Sequence, residues 1–351
     1  TMFTITSLFA GMGGIDVGFA EDCVVHRESV DDEFIDHSKN ANVKDFVVLK
    51  RLPFVVEMQN DIMKCARTIA ELNGWAHGYV LEDVRKLIED DYAFPHSDVI
   101  SGGFPCQDFS ILNPVKRQGF ASDRGTLYRS FVEIVKRVRP KLFIAENVKG
   151  MLSMPGVLDT IKADFASVGY TVAHQLIKCE EFGIPQNRHR VIIMGLRADL
   201  APDNLEDDWN IITKNKRTVP CGKYFEHLDE PAESADPAQQ YYSKCKSYNH
   251  RSSNEIDLAT TTPTIRANHH GNIEFRRKDG GVNGEDHLQQ RRMTVRETAL
   301  LQTFPPNTIF YQEGNRPTGT PYCPIGNAVP PLLGYLIADK VAEILSKTNL
   351  S

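Results

Sequence analysis

The sequence has no C-x-x-C pair among its seven cysteines, at positions 23, 65, 106, 179, 221, 245 and 323. An odd, scattered set of this kind indicates neither a disulfide framework nor a zinc site, so no metal is expected and any special cysteine must act as a reduced thiol. No apolar run approaches the roughly 18 to 20 residues that a bilayer-crossing helix needs, and no basic stretch leads into an apolar region near the start. A soluble, cytoplasmic protein without membrane contact is expected. Repeats and low-complexity tracts are also missing. What is present is ordinary globular composition, 351 residues with 41% apolar and 25% charged, which suits one large or two moderate domains sharing a substantial core.

Excess positive charge is lacking too. The formal net charge of −6 argues weakly against a polyanionic partner until it is divided along the chain. Residues 1–100 carry 9 basic and 18 acidic side chains, whereas residues 101–200 carry 14 and 9. A basic cleft in an acidic protein can still hold nucleic acid, because charges are screened beyond about 8 Å at physiological salt.

Thr4 to Leu8 is a β-prone run that stops at Phe9-Ala10-Gly11-Met12-Gly13-Gly14, and a helical stretch follows from Ile15. This reads as strand, tight turn, helix. Residues 26–46 are acidic and polar with little periodicity, and a surface insertion is expected there. Phe54-Val55-Val56-Glu57 reads as a second buried strand ending in a carboxylate. Asn60 to Leu72 places Ile62, Ala66, Ile69 and Leu72 on one helical face. Further strands are expected at 78–81, 98–101, 142–145, 171–177 and 191–196. Phe131, Ile134, Val135 and Val138 mark an amphipathic helix halted before Pro140, and Leu158, Ile161, Phe165 and Val168 mark another that ends near Gly169. Alternation of strands and helices predicts an α/β sheet, largely parallel. From about 201 to 290 periodicity is poor, and aromatics are interleaved with Lys and Arg. A separate, smaller domain of loops and strands is expected. An apolar helix from Pro330-Pro331 to Leu345 should return to the large domain.

Three carboxyl ends of parallel strands share one edge of such a sheet. The glycine turn alone is a weak ligand signal. Glu57 strengthens it, since an acidic residue at the second strand's end is where ribose hydroxyls are held, although it lies 43 positions beyond Gly14. Asp83 could reach an adenine edge or simply cap a helix. Gly102-Gly103-Phe104-Pro105-Cys106 follows a buried strand, so Cys106 sits at the sheet edge, where helix dipoles or cations can turn a thiol into a nucleophile. Glu146 ends the Leu142–Ala145 strand on the same edge. Arg188 and Arg190 alternate ahead of the 191–196 strand and share a face; to meet Cys106 that strand must run antiparallel, which makes the sheet mixed. His189 points the other way and is read as structural.

Phe-Ala-Gly-Met-Gly-Gly, Gly-Phe-Pro-Cys-Gln, Glu-Asn-Val, Gln-x-Arg-x-Arg and a late Gly-Asn-Ala-Val, in this order, strongly resemble the cytosine-C5 DNA methyltransferase family, bacterial type. Arg292-Met293-Thr294-Val295-Arg296-Glu297 through Gln302-Thr303-Phe304-Pro305 is similar to that family's penultimate motif, and the coverage runs from Phe3 to about Tyr335. The resemblance implies a Rossmann-like α/β fold that uses S-adenosylmethionine, with a mixed, mostly parallel sheet and a loop- and strand-rich target-recognition domain. It implies a catalytic and cofactor-binding domain at 1–198, a target-recognition domain at 199–290, a hinge at 291–317 and a returning segment at 318–351. The cofactor would lie on Phe9, Ala10, Gly11, Gly13 and Gly14, with Glu57 and Met58 at its ribose, Asp83 at its adenine, and Pro105, Leu127, Asn327 and Ala328 around the rest. Cys106 corresponds to the nucleophile, and Glu146, Arg188 and Arg190 to groups around the target base.

The chemistry needs these types. Cytosine C5 is a poor nucleophile, so thiolate addition at C6 must push electron density into the ring. Glu146 in its acid form can donate toward N3, and Arg190, supported by Arg188, can stabilise charge that develops at the carbonyl. The base must leave the helical stack to be reached. Gln107, Ser110, Lys116, Arg117 and Arg124 are expected at the DNA, on a loop hinged at Gly119. Lys214, Lys216, Arg217, Lys244, Lys246 and Arg251 are candidate cations of the target domain, about a third of them expected to touch DNA. The resemblance implies a role in restriction-modification on double-stranded DNA. No obligate protein partner is evident, and a monomer is expected. The tRNA-methylating branch carries a C-F-T tripeptide that is missing here, and an inactive DNA-binding subunit would not need the Cys106, Glu146 and Arg190 set.

Overall fold

The computed structural model describes residues 2–104, 125–201, 210–242, 254–267, 273–276, 283, 291–311 and 321–348. The first part of the chain forms β1 (Phe3–Leu8), α1 (Gly14–Ala20), β2 (Val24–His26), β3 (Phe46–Val48), β4 (Phe54–Asp61), α2 (Lys64–Leu72), β5 (Tyr79–Leu81), α3 (Val84–Glu89) and β6 (Val99–Gly102). Next come α4 (Gly125–Val138), β7 (Leu142–Val148), α5 (Val157–Ser167), β8 (Tyr170–Lys178) and β9 (His189–Arg197). The remainder holds α6 (Pro237–Gln240), β10 (Asn254–Glu255), β11 (Ile273–Arg276), β12 (Arg291–Arg292), α7 (Val295–Leu301), α8 (Tyr322–Asn327) and α9 (Pro331–Thr348).

Seven strands form one sheet in the order β5-β4-β1-β6-β7-β9-β8. All run parallel except β9, which is antiparallel to both neighbours. The mixed sheet expected from the position of the arginines is the one observed. Strand order reverses direction at β1, between β4 and β6, which opens a crevice at the carboxyl ends of these strands. One core lies between the sheet, α1 and α9, around Ile5, Phe19, Ile144, Ile192 and Leu333. On the other face α4 and α5 bury Phe131, Ile134, Val135, Ile161 and Phe165 against Phe143 and Ile193. The 3.6-residue spacing of these apolar side chains gives each helix one buried stripe. Gly169, at φ 93°, ends α5 in the left-handed region that glycine tolerates.

Helix α9 packs on α1 through two glycines. A Cβ at Gly18 would come within 2.3 Å of the Tyr335 nitrogen, and one at Gly334 within 2.9 Å of the Ile15 oxygen. The returning C-terminal helix is therefore an integral layer of the large domain.

Three expectations need correction. The strand ending at Glu57 continues to Asp61, because Gln59 and Asn60 are buried yet satisfied: Gln59 Nε2 donates to Asp16 at 2.7 Å and Asn60 Nδ2 to the carbonyls of Val80 and Glu82. Ile62 precedes α2 and is 72% exposed, so it does not belong to that helix's buried face. The 26–46 segment is no mere surface insertion. It joins the antiparallel strands β2 and β3 and buries Val30, Phe34 and Ile35 in the core.

Candidate active site

A cavity of about 420 Å³ opens at the carboxyl ends of β1, β4, β5, β6 and β7. Its floor is the turn after β1. Phe9 and Gly11 have φ 55° and 57°, and Gly13, at 88°, starts α1. The Gly13 nitrogen donates to Ala10 O at 2.9 Å, and Tyr79 OH donates to Gly11 O at 2.7 Å. Such a turn leaves its outer side free of Cβ atoms: nothing lies within 4 Å of where a Gly11 Cβ would sit. Beneath it Asp16, fully buried, accepts from Ser7 and Gln59. Burial pushes its carboxyl above the usual carboxylate range.

Phe9, Ala10, Gly11, Gly14, Asp83, Leu127, Asn327 and Ala328 all line this cavity. Gly13, the N-cap of α1, is not among the lining residues. Glu57 and Met58 do not reach it: Glu57 is exposed on β4, and Met58 is buried at 2% exposure. The carboxylate at the strand end is Asp61. Its Oδ2 accepts from the Gly11 nitrogen and its Oδ1 from the Met63 nitrogen, both at 2.8 Å. Asn60, Asp61, Ile62, Met63 and Arg85 are among the lining residues that sequence reasoning missed. A detectable signal existed, since an aspartate ahead of a helical run favours a local turn in which its carboxylate accepts from the nitrogen two residues on, as Asp61 does from Met63. Asp83 caps α3 by accepting from Arg85 N, it also lines the cavity, and the Arg85 guanidinium forks onto it at 2.6 to 3.1 Å. That pairing holds its carboxyl below the usual range.

At the far wall Glu146 meets Arg190, with Nε and Oε1 2.6 Å apart and both side chains about 14% exposed or less. The antiparallel register of β7 and β9 brings them together, since Val148 pairs with Arg190 and Glu146 with Ile192. Gly103 lies against this pair, where a Cβ would sit 3.1 Å from Glu146 Oε2. Asn147 points to the other face, and its Nδ2 donates to Phe104 O at 3.1 Å. It thereby holds the backbone that leads toward Pro105. Pro105, Cys106, Gln107, Ser110, Lys116, Arg117, Gly119 and Arg124 lie outside the described residues, as do Lys244, Lys246 and Arg251.

Arg188 is not brought to the base site. It is 1% exposed, and its guanidinium donates to the carbonyls of Ile265, Gly326 and Ala328 at 2.9 to 3.1 Å. Burial and the neighbouring Arg190 charge push it down to about 9. It ties the C-terminal end of α8, with Asn327 and Ala328, to the segment leading into β9. Gln186 makes a second tie: its Nε2 donates to Leu301 O and Gln302 Oε1, and its Oε1 accepts from Ile265 N. His189 is structural as expected, with Nε2 2.7 Å from Glu180. Among the described residues no His, Cys, Asp and Glu group could hold a metal ion.

The cavity suits a nucleoside-bearing cofactor. It offers carboxylates at two successive strand ends for ribose and adenine polar edges, an exposed apolar Ile62 beside them, and a glycine turn that admits close approach.

A family model for C-5 cytosine-specific DNA methylases matches residues 3–343. The Type II methyltransferase M.BspRI of Lysinibacillus sphaericus is 31% identical over 97% of this chain and 82% of its own length. The Type II methyltransferase M.BsuRI of Bacillus subtilis is 30% identical over 97% of this chain and 79% of its own. In fold, the crystal structure of the S. pombe Dnmt2 methyltransferase superposes with a TM-score of 0.63 at 15% identity, covering 99% of this chain and 100% of that one.

Proposed function

Since the chain belongs to the C-5 cytosine-specific DNA methylase family, we propose that it methylates C5 of a cytosine rotated out of duplex DNA, with Cys106 as the nucleophile. The enzyme is an S-adenosylmethionine-dependent methyltransferase. When bound, that cofactor supplies an electrophilic methyl group on a sulfonium. In this reading Asp61 binds the ribose hydroxyls, Asp83 the adenine edge, and Asn327 with Ala328 the methionine end.

The reading is carried by the Glu146–Arg190 pair on the wall of the cofactor-shaped cavity, beside Gly103. The Cys106 thiolate forms a bond to C6, and the displaced electron pair moves through C5 toward N3 and the carbonyl. Glu146 hydrogen-bonds the N3 side and Arg190 holds the carbonyl side; in a water-poor cleft such preoriented groups stabilise developing charge strongly. C5 takes the methyl group, loses its proton to a base, and the returning electron pair expels the thiolate. Arg188 acts only by holding this frame.

Gln107, Ser110, Lys116, Arg117 and Arg124 are proposed to close over the DNA, and residues 199–290 to choose the sequence. Two of the target domain's candidate cations are committed within the protein, Lys214 to Asp339 and Arg217 to Asp31, so they are not counted among the DNA contacts. No helix among the described residues is long and apolar enough to cross a membrane; the setting proposed is a bacterial cytoplasm, the role Type II modification, and the state a monomer. Bisulfite sequencing of unmethylated DNA treated with the purified enzyme tests the proposal: protected cytosines in one sequence context are expected, and uniformly unprotected cytosines despite bound cofactor would overturn it.

A further inference from the structure

Residues 24–49 form an acidic insertion whose buried face meets the first stretch of the proposed target domain. Val24, Phe46 and Val48 pack in one apolar cluster with Val219, Tyr224, Phe225, Ile256 and Met293. The Phe46 ring meets Tyr224 edge-on at 5.7 Å and His227 at 5.0 Å. At the centre is Ser29, fully buried, whose Oγ lies 2.6 Å from Tyr224 OH. Asn215, also buried, accepts from Asp31 N through Oδ1 and donates through Nδ2 to the carbonyls of Ser29 and Phe182.

The charges agree with the packing. Arg217 donates to the carbonyls of Glu28 and Val30 and pairs with Asp31, while Lys223 pairs with Glu28 at 3.2 Å. The acidic run that looked like solvated surface is thus a counter-charge for basic residues about 190 positions later. A third strand of chain is clamped in the same place. Gly183 touches the Ser29 carbonyl so closely that a Cβ there would sit 2.0 Å from it, and its nitrogen donates to Arg217 O at 2.8 Å. Gly183 stands just ahead of Gln186, Arg188 and β9, which carries Arg190 to Glu146.

We infer that residues 24–49 are a positioning brace for DNA selection, fixing the target-recognition segment 211–228 relative to the strand that presents Arg190. The inference rests on the proposed assignment of 199–290 to sequence choice. A brace of this kind acts on the alignment of DNA with the site and not on the cofactor cavity, whose lining includes none of these residues.

The test uses the full-length enzyme, unmethylated plasmid DNA and S-adenosylmethionine, with Ser29→Ala, Tyr224→Phe, Arg217→Lys and Arg217→Ala. Removing one buried hydroxyl partner is expected to raise KM for DNA about fivefold, leave KM for S-adenosylmethionine within about twofold, and spread bisulfite-protected cytosines into near-target contexts. Arg217→Lys should retain more of the selectivity than Arg217→Ala, because it keeps the charge opposite Asp31 but loses the fork to the carbonyls. The Ser29→Ala and Tyr224→Phe variants decide the matter if Arg217→Ala does not fold. Unchanged DNA KM and unchanged contexts, or equal losses toward DNA and cofactor, would overturn the brace. A wild-type enzyme that protects no cytosine would instead sink the proposed function.

Discussion

The two oxygens of Asp61 each accept one backbone N–H, from Gly11 and Met63, which leaves the carboxylate's remaining lone pairs facing the cavity. Replacing Asp61 by Ala is therefore expected to weaken S-adenosylmethionine binding about tenfold or more, as for loss of charged hydrogen bonds. Glu57→Ala should leave it within about twofold; calorimetric titration separates the two, and a larger effect at Glu57 would reverse the assignment. Cys106→Ala is expected to abolish methylation while cofactor binding stays within about threefold, as for a nucleophile that acts only on the base. Near-normal turnover of that variant would refute the nucleophile. Glu146 and Arg190, which the structure pairs, were legible as residues because each stands near a strand end in a chemically unusual setting. Asp61 was not, since the apolar run stops at Glu57 and the strand's last residues are polar; only their partners, Asp16 and the β5 end, show why burying Gln59 and Asn60 is tolerated. Arg188 was misjudged for a related reason. Alternation puts it on the face of Arg190, but the carbonyls that capture it come from residues 265, 326 and 328.

Helix α1 tolerates α9 at this distance only because positions 18 and 334 lack a Cβ. Gly18→Ala should cost about 1 to 3 kcal/mol by overpacking, read as a lower urea midpoint; an unchanged midpoint would show that the helices can separate cheaply. The β2–β3 hairpin carries a pH signature as well. Burial lowers the pKa of His26, and burial with the Arg296 charge lowers that of His227. A histidine depressed in the folded state favours folding above its unfolded value and withdraws that support as pH falls below roughly 6.5. Thermal stability should fall from pH 7 to pH 5, and less steeply in His227→Leu; equal slopes would remove His227 from the cause. Buried Asp16, raised by desolvation, works in the opposite direction, so the comparison of slopes is the informative quantity. Helices α4, α5 and α9 could be read from their spacing, whereas this hairpin could not, because its apolar residues are few and find their partners near residue 220.

At the scale of the molecule, the mostly parallel sheet followed from the alternation of strands and helices and the reversed β9 from placing reactive residues on one edge, whereas the order of the strands was not legible. Strands β10, β11 and β12 did not follow, since they are short, set by pairing between distant segments, and carry no periodicity of their own. With nucleic acid as substrate, counterion release should make DNA binding fall steeply with salt. Raising salt from about 50 to 200 mM is expected to raise KM for DNA by on the order of a hundredfold or more, while cofactor binding changes little; a flat response would argue against a phosphate-lined cleft. The cavity floor comes from residues 8–15 and its roof from residues 324–329, with Gly14 pressed against the Val329 carbonyl. During synthesis the floor emerges first and the roof some three hundred residues later, so the cavity proposed for the methyl donor is closed only near the end of translation.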